Sequence, residues 1–188
     1  MTKKYYITTP IYYPSAKPHM GHAYSSIVAD FFARFKSING FNVFFLTGTD
    51  EHGQKIQRAA ENNNKDPLEF CDEISKTFKE LSKTLNLSNN DFIRTTERRH
   101  YKSVQHLWNI LENKGEIYLS NYSGWYSVSD EAFYSEEEIE NKDGTKISKA
   151  SGSPVEWVEE ESYFFRLSKW QDKLLEFYNN NENFILPK

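Results

Sequence analysis

In the first half of the chain, continuous apolar runs of strand length alternate with apolar stripes at helical spacing. Tyr5-Tyr6-Ile7-Thr8-Thr9 is aromatic and β-branched, and Pro10 and Pro14 punctuate the residues behind it. This predicts a buried strand feeding a loop that ends at Gly21. From Ala23 onward Ile27, Val28, Phe31, Phe32, Phe35 and Ile38 keep a helical period, predicting a helix that packs this stripe on a sheet and stops at Gly40. Asn42-Val43-Phe44-Phe45-Leu46-Thr47 is the next strand. The three elements make a β–α–β unit with parallel strands joined right-handedly, the start of a doubly wound sheet.

Further on, Asp66-Pro67-Leu68-Glu69 reads as an N-cap, a proline at the first helical position and an acidic first turn. Cys71, Ile74, Phe78, Leu81 and Leu85 then keep a helical stripe. Asp91-Phe92-Ile93-Arg94-Thr95 is a third strand candidate, followed by a helix through Val104, Leu107, Trp108 and Leu111 that Gly115 ends. Beyond Gly115 the pattern changes to short strand-like pieces: Ile117-Tyr118-Leu119, Gly124-Trp125-Tyr126 and Pro154-Val155-Glu156-Trp157. Ser168-Lys169-Trp170-Gln171 matches a capping box ahead of a last helix with Trp170, Leu174 and Phe177 or Tyr178 on its apolar face. The expected organisation is a doubly wound α/β half-domain over 1–115 and a small β-rich α+β unit over 116–188.

Composition narrows this picture. The 188 residues are 38% hydrophobic and 16% aromatic, with apolar positions dispersed along the chain, which argues for globular folding. No apolar run of ~18 residues occurs, and Met1-Thr2-Lys3-Lys4 leads into a strand and not a secretory segment, so a cytoplasmic protein without a membrane segment is expected. The single cysteine, Cys71, excludes an internal disulfide and a Cys-rich zinc knuckle, and is expected in the core. A net charge of −4 argues against a broadly basic nucleic-acid surface. The local patch of Arg94, Arg98, Arg99 and Lys102 reads either as a solvated helix start or as a phosphate contact.

The candidate chemistry lies in the loop behind the first strand. His19, Gly21 and His22 occupy a strand-to-helix turn, where open α/β sheets hold ligands and free backbone N–H groups favour anions. Two imidazoles can donate to phosphate oxygens, and glycine between them leaves room for a base or ribose. By spacing alone the pair also fits a chance arrangement or a metal site. Ile11 and Tyr13 read, on the residues alone, as core or loop packing, and Asp50 as an ordinary cap or turn residue.

The flanking sequence is more specific than the histidines. Ile7-Thr8-Thr9-Pro10-Ile11-Tyr12-Tyr13, Pro18-His19-Met20-Gly21-His22-Ala23-Tyr24 and Phe45-Leu46-Thr47-Gly48-Thr49-Asp50-Glu51-His52-Gly53-Gln54-Lys55-Ile56 together resemble, in order and spacing, the signatures of bacterial-type methionyl-tRNA synthetases. Gly124-Trp125-Tyr126, Asp130-Glu131-Ala132-Phe133-Tyr134 and Pro154 to Phe165 resemble the connective insertion of the same family. The resemblance implies a Rossmann-type fold of the His-x-Gly-His class and an enzyme that joins methionine to AMP and passes methionyl to tRNA(Met). It implies His19 and His22 as catalytic and ATP-binding, Gly21 as ATP-binding, and Ile11, Tyr13 and Asp50 as methionine-binding. It leaves the role of His52 open. Magnesium is expected to enter with ATP. Methionine, ATP and tRNA(Met) are the implied partners, with no obligate protein partner and no membrane.

The chain also departs from the family. Ser127 and Asp130 stand where many members carry a Cys-x-x-Cys pair, so no zinc is expected. Lys146-Ile147-Ser148-Lys149-Ala150 resembles the family's lysine-rich pyrophosphate loop but falls inside the insertion, ahead of Pro154, and is not assigned to it. The true loop and the anticodon-reading domain lie further along in the family, so the chain is expected to be a fragment with little or no activity alone. The rival readings are a complete small nucleotidylyltransferase using Lys146 and Lys149, and a non-catalytic module that binds ATP or methionine.

Overall fold

A computed structural model describes residues 3–185, and within it the chain forms two compact units, Met1–Val104 and Gln105–Lys188. The division falls within the helix that is expected to end at Gly115. In the first unit, strands β1 (Lys4–Thr8), β2 (Asn42–Thr49) and β3 (Asp91–Arg94) form a parallel sheet in the order β1-β2-β3. Helices α1 (Met20–Ile38), α2 (Gln54–Asn62) and α3 (Pro67–Thr84) connect them, and α4 (Arg98–Asn113) comes after β3.

The packing of α1 corrects the expectation drawn from its aromatic stripe. Its buried residues are Ala23, Ser26, Ala29, Asp30 and Ala33, whereas Ile27, Val28, Phe31, Phe32, Phe35 and Ile38 are all exposed, Ile38 at 86%. Small side chains let a helix approach a sheet closely. Here Ala29 and Ala33 close directly on Phe45, which is wholly buried, with Ile7 and Val43 at the edge of the cluster. Asp30 fits this face because its carboxylate accepts from the N–H and hydroxyl of Ser88, both at 2.6 Å, and pairs with Arg34.

Gly48 is dictated by the sheet itself. A Cβ there would lie 2.0 Å from the carbonyl oxygen of Ile93 on the neighbouring strand, so no other residue lets β2 and β3 pair at that point. The expected start of α3 holds: Asp66 Oδ1 accepts from the N–H of Leu68 and Glu69. Cys71 is buried, as expected. Helix α2 has no counterpart in the sequence pattern. It is nine residues long and mostly polar, and only Ile56 and Ala60 are buried, so its apolar period spans barely one turn.

The second unit is antiparallel. Strands β4 (Ile117–Ser127), β5 (Ala132–Tyr134) and β8 (Glu156–Phe165) form a sheet in the order β5-β4-β8, and β6 (Ile139–Lys142) with β7 (Thr145–Ser148) makes a hairpin. Ile117-Tyr118-Leu119 and Gly124-Trp125-Tyr126, expected as separate pieces, belong to one eleven-residue strand, because ten consecutive residues of β4 pair with β8 and carry the ladder across the polar stretch Ser120 to Ser123. Aromatic contacts hold this unit, with Tyr122 and Phe133 rings 4.5 Å apart and Trp125 and Trp157 5.3 Å apart.

Ser168 does not cap the last helix. It lies in a 3-10 turn (Leu167–Trp170), and α5 (Gln171–Asn180) starts behind Trp170 without a side-chain cap. Lys146 lies in β7 with its ammonium 3.7 Å over the Trp125 ring, and Lys149 Nζ donates to the carbonyl of Glu137 at 2.6 Å. Both lysines are thus engaged within the hairpin region. Among the described residues no helix is long and apolar enough to cross a membrane.

Candidate active site

The sequence-derived site residues gather at the carboxyl ends of β1 and β2 and the amino terminus of α1. Beyond Thr8 the chain runs on beside β2, with Thr9 N–H donating to the Leu46 carbonyl, and Tyr12 forms a parallel bridge with Thr49. Tyr12 N–H donates to Gly48 and its carbonyl accepts from Asp50 N–H at 2.8 Å. The Tyr12 ring is buried, stacked on Phe78 with centroids 5.5 Å apart, and its hydroxyl lies 2.9 Å from Ser26 Oγ. Alternation along an extended segment then turns Ile11 and Tyr13 to the other side. They are 43% and 39% exposed, so core packing does not describe them. Sequence reasoning misses Tyr12, the member of the trio that anchors the others; its sole signal is its place between two residues of the opposite face.

His19 is the N-cap of α1 and forms a reciprocal pair with His22. His19 Nδ1 accepts from Gly21 N–H at 3.1 Å, and His22 Nδ1 accepts from His19 N–H at 3.1 Å. An imidazole nitrogen that accepts carries no proton, so both neutral rings hold their hydrogen on Nε2. The rings lie 3.9 Å apart, centroid to centroid. Burial pushes the pKa of His22 down, and the neighbouring His19 lowers it further. Each histidine therefore presents an Nε2–H donor at a helix amino terminus. Helix α1 starts at Met20, so Gly21 lies in its first turn and not at the end of a loop. A Cβ on Gly21 would stand 2.9 Å from His19 Cε1, so glycine here is needed first for the His19 ring itself.

Asp50 comes directly after the last residue of β2 and is half-buried. His52, left open by the sequence, places Nε2 3.3 Å from the Thr95 carbonyl, which can only accept, so this nitrogen carries the proton. Within the basic patch, Arg98, Arg99 and Lys102 are exposed at the start of α4, as the solvated reading expects, whereas Arg94 is half-buried. Arg94 pairs with Glu51 at 2.7 Å and Asp72 at 2.6 Å, and Arg99 pairs with Asp91 and Glu97, so these two guanidiniums are held by carboxylates of the fold.

In the second unit, Ser127 and Asp130 belong to a knot that also contains Ser148 and Ser151. Ser127 Oγ accepts from Asp130 N–H at 3.3 Å, and Ser148 Oγ accepts from the N–H groups of Ala150 and Ser151. Asp130 joins the two turns by accepting from the hydroxyls of Ser151, Ser153 and Tyr134. Three hydroxyls and one carboxylate, all engaged with one another or with backbone, do not fit a structural zinc ion, which takes thiolate or imidazole ligands.

The family described as tRNA synthetases class I (M) matches residues 5–146. The methionine–tRNA ligase of Rickettsia conorii is 56% identical over 187 residues, covering 100% of this chain and 36% of the relative. That of Brucella suis is 54% identical over 98% of this chain and 36% of the relative. Among solved structures, Mycobacterium tuberculosis methionyl-tRNA synthetase in complex with methionyl-adenylate superposes with a TM-score of 0.93 at 46% identity, over 100% of this chain and 37% of that one. The chain thus spans about a third of the length of the curated relatives it matches.

Proposed function

The chain belongs to the class I tRNA synthetases of the (M) family, and on that premise we propose that its first unit binds ATP and methionine for methionine–tRNA ligation. The reaction joins the methionine carboxylate to the α-phosphate of ATP with release of pyrophosphate, then transfers methionyl to the terminal ribose of tRNA(Met). The observation that carries this reading is the His19–His22 pair. Two backbone hydrogen bonds commit both Nδ1 atoms, which leaves each neutral ring an Nε2–H donor at the amino end of α1. Charge developing on phosphate oxygens is stabilised by such preorganised donors, without a protein nucleophile.

Asp50 holds the ammonium group of methionine through a charge-assisted hydrogen bond. Ile11 and Tyr13, sharing the exposed side of the extended segment, line the methionine side chain. Magnesium accompanies ATP as a substrate complex, and no zinc is required in the second unit. The cytoplasm, where tRNA is charged, is the place of action.

The test is methionine-dependent ATP–pyrophosphate exchange by the protein at the full length of its relatives. His22→Ala is expected to lower the adenylation rate with methionine binding retained, and Asp50→Ala to raise the KM for methionine. Wild-type kinetics in both variants would overturn the assignment.

A further inference from the structure

Glu51 lies between Asp50 and His52, yet its side chain is entirely buried. Its carboxylate accepts from Thr49 Oγ1 at 2.6 Å, Ser75 Oγ at 2.6 Å, Thr96 Oγ1 at 2.5 Å, and Arg94 Nε and Nη2 at 2.7 and 2.9 Å. Arg94 is held in turn by Asp72. One carboxylate therefore clasps the end of β2, helix α3 and the segment leaving β3. A buried ion pair is weak evidence of added stability, since desolvation offsets most of its attraction. What five converging donors do supply is a single geometry.

That geometry is delivered to Asp50. The peptide before Asp50 is fixed because its N–H donates to the Tyr12 carbonyl at 2.8 Å. The peptide after it is fixed because Glu51 N–H donates to Thr95 Oγ1 at 2.8 Å. With both flanking peptide planes pinned, the direction of the Asp50 Cα–Cβ bond is set, and the clasped Glu51 side chain keeps the second peptide from turning. Arg94 and the surrounding hydroxyls outweigh the burial and hold Glu51 below the usual carboxylate range, so it stays ionised in the clasp.

We propose that Glu51 is a positioning residue for methionine recognition, acting through Asp50 by locking the backbone at the end of β2. The inference rests on the reading of Asp50 as the ammonium partner. A carboxylate displaced by about 1 Å loses its charge-assisted bond while the histidine turn, on another segment, keeps its donors.

The experiment is steady-state ATP–pyrophosphate exchange by the full-length protein carrying Glu51→Gln, which keeps side-chain size and removes the charge that pairs with Arg94. The expected result is a methionine KM raised roughly ten-fold with the ATP KM within about two-fold of wild type. A merely structural role would lower the melting temperature and the active fraction without separating the two KM values, and that outcome would overturn the proposal. Should Glu51→Gln fail to fold, Thr96→Val decides the matter. It removes one donor to the clasp, and a methionine KM equal to wild type would equally overturn it. Absence of methionine-dependent exchange in the wild-type protein would instead defeat the functional reading beneath it.

Discussion

The hydroxyl of Tyr12, in the extended segment behind β1, lies 2.9 Å from Ser26 Oγ on α1, and both residues are buried. This bond ties the segment carrying Ile11 and Tyr13 to the helix carrying the histidines. Tyr12→Phe keeps the ring on Phe78 but leaves the Ser26 hydroxyl without this partner. Chemical denaturation should show a loss of about 1–2 kcal/mol, the usual consequence of leaving a buried polar group unpaired. An unchanged denaturation midpoint would show the bond to be dispensable.

His19 combines two roles that one substitution can separate. Serine is a good N-cap but has no donor that reaches as far as Nε2. His19→Ser should therefore melt within a few degrees of wild type while methionine-dependent exchange falls by about 10²-fold, the scale seen when one preorganised donor is removed. A parallel loss of melting temperature and activity would mean that capping is its only task.

The depressed pKa of His22 fixes the sign of a pH effect. Burial and His19 favour the neutral ring in the folded state, below its ordinary 6.5, so the unfolded chain binds more protons near that pH. The His22 contribution to stability is complete above about 6.5 and is lost as pH falls from there through the folded value. Glu51, with its lowered pKa, loses its contribution only in a more acidic window, below about 4.3 and through its folded value. Proton NMR titration of the His22 ring should give a midpoint under 6.5, and a midpoint above it would refute the burial argument.

Burial pushes the Cys71 thiol up to about 11, with the Glu51 charge adding to the effect. At pH 8 the native protein should react with a thiol-directed reagent only at the rate of unfolding, and at once in denaturant. Rapid labelling of the native protein would place Cys71 outside the core.

Asp130 accepts from three side-chain hydroxyls and joins the two serine turns of the second unit. Exhaustive dialysis against a zinc chelator should leave the melting temperature unchanged, whereas Asp130→Ala should lower it. A chelator-induced drop accompanied by release of stoichiometric zinc would contradict the hydrogen-bonded knot.

Much of this protein is legible in its local pattern. The parallel strands, the Asp66 cap of α3, buried Cys71 and the strand-to-helix histidine turn depend on periodicity and on residues adjacent in sequence, which one chain displays directly. The family signatures identify the family, because they record chemistry that no apolar pattern encodes. Tertiary structure decided which face of each element is used. The aromatic stripe of α1 predicts its buried side wrongly, since helix-to-sheet distance favours Ala29 and Ala33 against Phe45. The fold also turns Tyr12 inward and Ile11 and Tyr13 outward, converts Arg94 from a surface charge into the partner of a buried carboxylate, and gives Glu51 its five donors. Those donors come from positions as far apart as Thr49 and Thr96, and only the folded chain brings them to one carboxylate.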